Sequence, residues 1–322
     1  MLYIENNMES SNYNFYHPDP PGKTSMLGLV DLKGLDQESL ISFCKDMGEP
    51  PYRGQQLFSW IYAKGEVCFD KMTDLPITFR EKLSHRARVN FFCPERVVEA
   101  ADGTVKHAFL LADGERIESV SIPMPRSGGD IRWTLCVSTQ IGCSMGCTFC
   151  LTAKMGLVRQ LSPGEIIEQF LAARRSLPEG QRFHNIVFMG MGEPLDNFSA
   201  TVTAALILTH PGAGGVSARR LTISTVGLAS KLAEFVRQVP GVGLAVSLNA
   251  ADDVTRGRIM PVNRKWNLDA LLKVCRALPI PERRRITFEY VLIGGINDKK
   301  EDASRLAHLL RGIQCKVNLI PW

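Results

Sequence analysis

From Trp133 to the last residue, short apolar or β-branched runs alternate with helix-forming stretches, and this rhythm restricts the possible folds more than any other feature. Strands are expected near 133–138, 184–189, 220–225, 242–248, 285–292 and 315–320. Between the first two, Ser162-Pro-Gly-Glu165 places a capping serine, a proline at the first helical position and a glutamate at the third, which opens a helix to Arg175. Lys231 to Gln238, Leu268 to Ala277 and Asp302 to Leu310 also read as helices. Strands joined through helices run parallel, because each return crosses over the sheet. The pattern therefore predicts a parallel α/β layer, as an open sheet or a partial barrel.

The rest of the chain divides by composition. Residues 1–27 are polar and broken by proline, and are expected to form a loose tail. Residues 28–90 read as a small helical accessory domain, with Leu40, Ile41, Cys44 and Met47, then Leu57, Trp60 and Ile61, at helical spacing. Residues 91–129 read as a β-hairpin and linker, with a turn at Ala112-Asp-Gly114. Residues 130–322 form the α/β core, and no internal repeat is present.

With 322 residues, the chain is long enough for one large domain and one small one. No stretch approaches the length of a membrane span. Glu5 and Glu9 stand where a secretory signal needs a basic start and an apolar run. Nine cysteines in no regular framework point to a reducing compartment, the cytoplasm, and to metal or redox use. The net charge of +5 permits a polyanionic partner without requiring one. Arg80, Lys82, Arg86 and Arg88 cluster, as do Arg219 and Arg220, Arg283 to Arg285, and Lys299 and Lys300. Singly these read as solvated helix ends; together they make nucleic acid a plausible substrate.

Cys143, Cys147 and Cys150 place three thiols within eight residues. Three thiolates can ligate three irons of an iron–sulfur cluster and leave the fourth iron open to a small molecule. A zinc site completed by a distant fourth ligand, or a chance cysteine run, are the other readings, although zinc patterns ordinarily pair two C-x-x-C units or one with two histidines. In parallel α/β folds, ligands sit at the C-terminal ends of strands. Here those ends carry Met189-Gly-Met-Gly-Glu-Pro194, Ser224-Thr-Val-Gly227, Ser247-Leu-Asn249 and Asn318. Glycines allow close backbone approach, Glu193 can accept from an ammonium, and Ser247, Asn249 and Asn318 can bind hydroxyls or a carboxylate. A Gly-x-Gly pair alone is equally a tight turn. S-Adenosylmethionine suits an open iron, since it offers an amine and a carboxylate to chelate it.

The C-x-x-x-C-x-x-C run with Phe149 before its last cysteine resembles the radical S-adenosylmethionine superfamily. The wider set runs from Cys136 to Cys150 and includes Met189-Gly-Met-Gly-Glu-Pro, Ser247-Leu-Asn-Ala and Lys316-Val-Asn-Leu-Ile-Pro-Trp322. It resembles the dual-specificity RNA adenine-C2 methyltransferases of the RlmN type. With Asp46-Met-Gly-Glu-Pro-Pro-Tyr-Arg53 and Met72-Thr-Asp-Leu-Pro76, the likeness spans from about Leu29 to the end. It implies a partial (β/α)6 TIM-like barrel with a helical accessory domain and a β-hairpin extension. By the same resemblance Cys143, Cys147 and Cys150 hold a [4Fe-4S] cluster, and Gly192, Glu193, Ser224, Ser247, Leu248, Asn249 and Asn318 contact S-adenosylmethionine. Glu118 matches the proton acceptor, otherwise a solvated strand residue. Cys136 matches the thiol that resolves the enzyme–RNA intermediate through a disulfide, otherwise a small buried hydrophobe.

The implied reaction is methylation of adenosine C2 in 23S ribosomal RNA and in transfer RNAs, through a methyl-cysteine. The implied partners are those RNAs and a flavodoxin- or ferredoxin-type reductant, with the protein a monomer. The related C8-methylating resistance enzymes share most of these motifs, and a non-catalytic RNA-binding remnant is the reading from another class. The family's methyl-carrying cysteine lies well beyond the Asn-Leu-Ile-Pro-Trp strand, and Cys315, before that strand, does not match it. The expectation is a truncated chain that binds a cluster but does not turn over by itself.

Overall fold

The computed structural model describes residues 28–322, so the tail expected at 1–27 lies outside the described residues. The short strand β1 (Val30–Asp31) pairs in parallel with β2 (Ala87–Arg88) and closes off a helical unit. Within it, Asp36 accepts the Ser39 N–H at 2.8 Å and caps α1 (Gln37–Asp46). The helices α2 (Tyr52–Phe58) and α3 (Ile77–Arg86) follow. A Cβ at Gly54 would lie 2.5 Å from the Ile41 backbone, so glycine is what lets α1 and α2 cross at this distance.

Beyond this unit the chain builds one nine-stranded sheet. It begins with the antiparallel strands β3 (Pro94–Glu99), β4 (Val105–Leu110) and β5 (Arg116–Pro125), and β5 pairs antiparallel with β6 (Ile131–Cys136). The expected turn at Ala112-Asp-Gly joins β4 to β5, where Asp113 accepts the Glu115 N–H at 3.1 Å and Gly114 adopts φ +87°. The hairpin expected as an extension is thus continuous with the core sheet. After β6 a small antiparallel pair, β7 (Gln140–Gly142) and β8 (Leu157–Gln160), flanks α4 (Leu151–Lys154).

Helix α5 (Pro163–Arg175) then begins at the expected capping box. It is followed by β9 (Phe183–Phe188), α6 (Phe198–Thr209), β10 (Leu221–Thr225), α7 (Ala229–Gln238) and β11 (Gly243–Ser247). The chain continues through α8 (Asp253–Ile259), α9 (Leu268–Ala277), β12 (Ile286–Leu292), α10 (Lys300–Leu309) and β13 (Cys315–Pro321).

From β6 through β9 to β13 every pairing is parallel, and each strand lies beside the next one in the chain. A doubly wound sheet reverses its order at a switch point; a strictly sequential order is that of a (β/α) barrel. Right-handed crossovers then place the helices on one face. Ile186, Phe188, Ile223, Leu244, Val246, Ile286 and Phe288 are buried against that helical layer. The opposite face is only partly covered, and it carries the site.

The helical unit and the sheet share a single buried cluster, which runs from Leu40, Phe58 and Phe79 through Ile166 and Phe170 of α5 to Phe188. At their junction the Lys33 ammonium forms a buried ion pair with Glu168, whose other oxygen accepts from Arg175 Nη2 at 2.6 Å. Arg174 Nη2 of α5 donates to the Tyr62 carbonyl at 3.3 Å across the same boundary.

Candidate functional site

The open face can be read from the strand register, since paired residues point the same way. One row runs Lys106, Val120, Cys136, Val187 and Thr222 across β4, β5, β6, β9 and β10. A second runs Ser224, Ala245, Thr287 and Lys316 across β10 to β13, and a third runs Ser247, Glu289 and Asn318. Glu118 lies two residues from Val120 and shares its face, so Glu118 and Cys136 are diagonal neighbours on adjacent strands. The fold thus brings Glu118, Cys136, Ser224, Ser247 and Asn318 onto one surface.

The cysteine loop rises from the C-terminal end of β6. Gly142 has φ +72°, and a Cβ there would come within 1.7 Å of the Gly156 carbonyl oxygen; this crowding sets the exit of β7. Next to it, the Cys143 N–H donates to the same carbonyl at 2.8 Å. Cys147 packs among Ala250, Ile259, Met260 and Ile293, and the Thr148 N–H donates to the Ile259 carbonyl at 3.0 Å. Cys150 is half-buried at the start of α4. Burial pushes the Cys143 thiol up to about 11 and the Cys147 thiol up to about 12, and the neighbouring cysteines add to both shifts. Without a cation such thiols keep their protons, so binding iron would release them. Among the described residues, no three His, Cys, Asp or Glu side chains converge closely enough to hold one metal ion. Three thiols on one short loop suit ligation to separate irons of one cluster.

The glycine pair after β9 is used for packing chain against chain. A Cβ on Gly190 would sit 2.6 Å from Ser138 Oγ, and one on Gly192, where φ is +100°, would sit 2.5 Å from Gln140 Cβ. Ser138 Oγ donates to the Glu118 carbonyl at 2.6 Å and accepts the Met191 N–H at 2.9 Å, which ties β5, β6 and β9 together at their ends. Glu193 is buried, and its oxygens accept from the Leu195 N–H at 3.0 Å and the Val226 N–H at 2.8 Å. Desolvation raises its carboxyl to about 7 despite those hydrogen bonds and one involving Thr225. The remaining lone pairs are what an incoming ammonium could use.

Two residues expected to meet the cofactor have other duties. The Leu248 side chain is in the core, its N–H donates to the Glu289 carbonyl at 2.9 Å, and its own carbonyl accepts from Arg256 Nε at 3.0 Å. Asn249 is the one non-glycine residue with positive φ among the described residues, at +58°. Its side chain is buried, accepting the Val291 N–H at 2.9 Å and donating to Met260 Sδ at 3.3 Å. Asn297 Nδ2 takes up the Asn249 carbonyl at 2.7 Å. These two brace the strand ends beside Ser247 and Asn318.

Sequence reasoning missed two charged residues here. Glu289 is a buried carboxylate between Ser247 and Asn318 in the third row, and it accepts from Asn318 Nδ2 at 2.7 Å. Its signal was a lone glutamate inside the otherwise apolar Ile286-Thr-Phe-Glu-Tyr-Val-Leu292 strand. Lys106 pairs with Glu118 at 3.1 Å, with both side chains more than two-fifths exposed. Cys136 is a free thiol, like the other eight cysteines. Burial raises its thiol to about 11. On the helical unit, Lys82, His85 and Arg86 line an open groove of about 370 Å³ with Asp46 and Met47. Arg80, grouped with them in the sequence, donates instead to the Asp70 carbonyl.

Residues 30–89 match the ribosomal RNA large subunit methyltransferase N-terminal domain family, and residues 137–307 match the radical SAM superfamily. The dual-specificity RNA methyltransferase RlmN of Desulfotalea psychrophila is 44% identical over 301 residues, covering 91% of this chain and 82% of the relative. That of Geobacter sulfurreducens is 46% identical over 294 residues, covering 91% and 79%. The crystal structure of a radical SAM methyltransferase from Sphaerobacter thermophilus superposes with a TM-score of 0.82 at 42% identity, over 90% of this chain and 84% of that one.

Proposed function

Because the chain belongs to the RlmN-type dual-specificity RNA methyltransferases of the radical SAM superfamily, we propose that its reaction is methylation of adenosine C2 in 23S ribosomal RNA and in transfer RNAs. The observation that carries this reading is the common face of Glu118 and Cys136 beside the cysteine loop. As in the family, the cofactors are a [4Fe-4S] cluster and S-adenosylmethionine. When bound at Cys143, Cys147 and Cys150, the cluster supplies the electron that opens the sulfonium.

The chain's own residues do the rest. Glu193 accepts from the cofactor's ammonium, while Ser224, Ser247 and Asn318 face its hydroxyls and carboxylate from adjacent strands. Glu118 takes the C2 proton, with the Lys106 ammonium 3.1 Å from its carboxylate. Cys136 offers the thiol that frees the product. An adenine buried in folded RNA reaches this face only unpaired or extruded.

We propose further that Lys82, His85 and Arg86 grip the RNA backbone, in preference to the Arg80 and Arg88 of the sequence cluster. Reversing those three to glutamate is expected to weaken RNA binding and to flatten its salt dependence; unchanged affinity in filter binding would rule this out. A flavodoxin- or ferredoxin-type donor, a monomeric state and a cytoplasmic location belong to the same proposal, and no helix among the described residues is long and apolar enough to cross a membrane.

The test expresses the whole reading frame of the gene in a host lacking the modification and reads the RNA by mass spectrometry. 2-Methyladenosine supports the reading, and 8-methyladenosine moves the chain to the C8-specific enzymes. RNA left unmodified by a protein that carries iron and sulfide refutes the reading.

A further inference from the structure

Arg256, in the middle of α8, is completely buried, and no carboxylate among the described residues lies within ion-pairing distance of it. Its donors are nevertheless all engaged. Nε donates to the Leu248 carbonyl at 3.0 Å, Nη1 to Asn263 Oδ1 at 2.9 Å and to the Trp266 carbonyl at 3.2 Å, and Nη2 to the carbonyls of Val226 at 2.8 Å and Ser247 at 3.3 Å. Carbonyls satisfy a guanidinium's hydrogen bonds without cancelling its charge. A buried charge that is not neutralised costs several kcal/mol, in order of magnitude, and a fold that only needed these strand ends pinned could use polar groups without one.

The position of that charge suggests its use. Val226 gives its carbonyl to Arg256 and its N–H to Glu193, so the guanidinium stands one residue behind the expected ammonium acceptor. Ser247, whose carbonyl it also holds, faces the cofactor surface. One turn along α8, Ile259 and the following Met260 pack on Cys147, and the Ile259 carbonyl accepts the Thr148 N–H at 3.0 Å. Asp253 also acts on Arg256, and its Oδ1 accepts from Asn263 Nδ2 at 2.9 Å. The acid beside these cysteines is Glu193, which acts on both Cys143 and Cys147 with the opposite sign.

We propose that Arg256 is a positioning residue whose buried charge acts on the anionic group held at Cys147, raising its reduction potential while fixing the strand ends that bear Val226 and Ser247. This rests on the assignment of an iron–sulfur cluster to the three cysteines. Three thiolates leave such a cluster net negative, and reduction adds one more negative charge. A fixed cation behind the loop, screened from water, favours the reduced form.

The test uses the 322-residue chain, reconstituted without oxygen, with R256Q and R256K beside it. Iron and sulfide content and thermal unfolding are recorded first, and midpoint potentials are then taken by redox titration followed by electron paramagnetic resonance. The expected result is a more negative potential for R256Q, with R256K between it and the parent, because the shorter ammonium withdraws from the loop. Should R256Q not fold, the R256K shift decides alone. Potentials equal to the parent's, even with lowered melting temperatures, mean a purely structural clamp and overturn the proposal. A parent chain that takes up no iron refutes the cluster assignment itself, which is a different result from unmoved potentials.

Discussion

The two halves of the sheet handle their polar groups in opposite ways. On the parallel side, the residues behind the strand ends are sealed: Glu193, Asn249, Arg256 and Asn297 are all at most 2% exposed, and each has protein partners. On the antiparallel side, Glu118 is 42% exposed and its one ion-pair partner, Lys106, is as open. The difference teaches a division of labour. A cofactor that returns to the same place at every turnover suits a preorganised cradle, whereas a base delivered by a large RNA needs an approach from solvent.

The sharpest way to break this contrast is at the cysteine loop. Cys147→Ala removes the ligand on the sealed side and is expected to abolish cluster assembly, read as loss of iron, sulfide and visible absorption. Next in size, Glu118→Gln in the protein expressed from its whole reading frame is expected to lower methyl transfer by about 10²–10⁴-fold, the range for a lost general base, with cluster content unchanged. A comparable loss of cluster would show that the two halves are not separable.

Stability should divide along the same line. Gly192→Ala, with φ +100° and Gln140 Cβ 2.5 Å away, is expected to cost about 3 kcal/mol or more in urea unfolding. Gly114→Ala, with φ +87° but nothing within 4 Å, should cost only about 1 kcal/mol.

The smallest effect is a matter of sign. Burial holds Glu193 protonated up to about 7 when folded, against 4.5 ordinarily, so its contribution to stability falls as pH rises through that window. His107, buried on the helix-facing side of β4 with its Nε2 3.0 Å from Ser121 Oγ, is pushed down by desolvation from 6.5 to about 4. Its contribution falls as pH drops through that range. Urea midpoints of the cluster-free chain between pH 4.5 and 6.5 should therefore tilt one way in E193Q and the other way in H107F. Parallel slopes in the two variants would deny the opposition.

Much of this was legible in the residues, for physical reasons. The parallel strands carry apolar runs long enough to be seen, and the Ser162 capping box and the Asp113 turn are local chemistry, so each appeared within a residue or two of its expected place. Helix α6 escaped notice because its sequence, Phe198-Ser-Ala-Thr-Val-Thr-Ala-Ala-Leu-Ile-Leu-Thr209, has no polar face to give a period. That the hairpin continues the core sheet depends on pairing Val120 with Cys136, a register no local pattern encodes. Arg256 gives no signal among Asp252, Asp253 and Arg258, since only the folded chain turns it inward to the strand ends.

The junction of Lys33 with Glu168, set within a core common to the helical unit and the sheet, has a consequence for substrate choice. If the grip on α3 and the reacting face cannot slide past one another, the molecule works as a fixed caliper. An RNA whose target adenine stands at the wrong span from its backbone handhold goes unmodified, whatever its neighbouring letters spell.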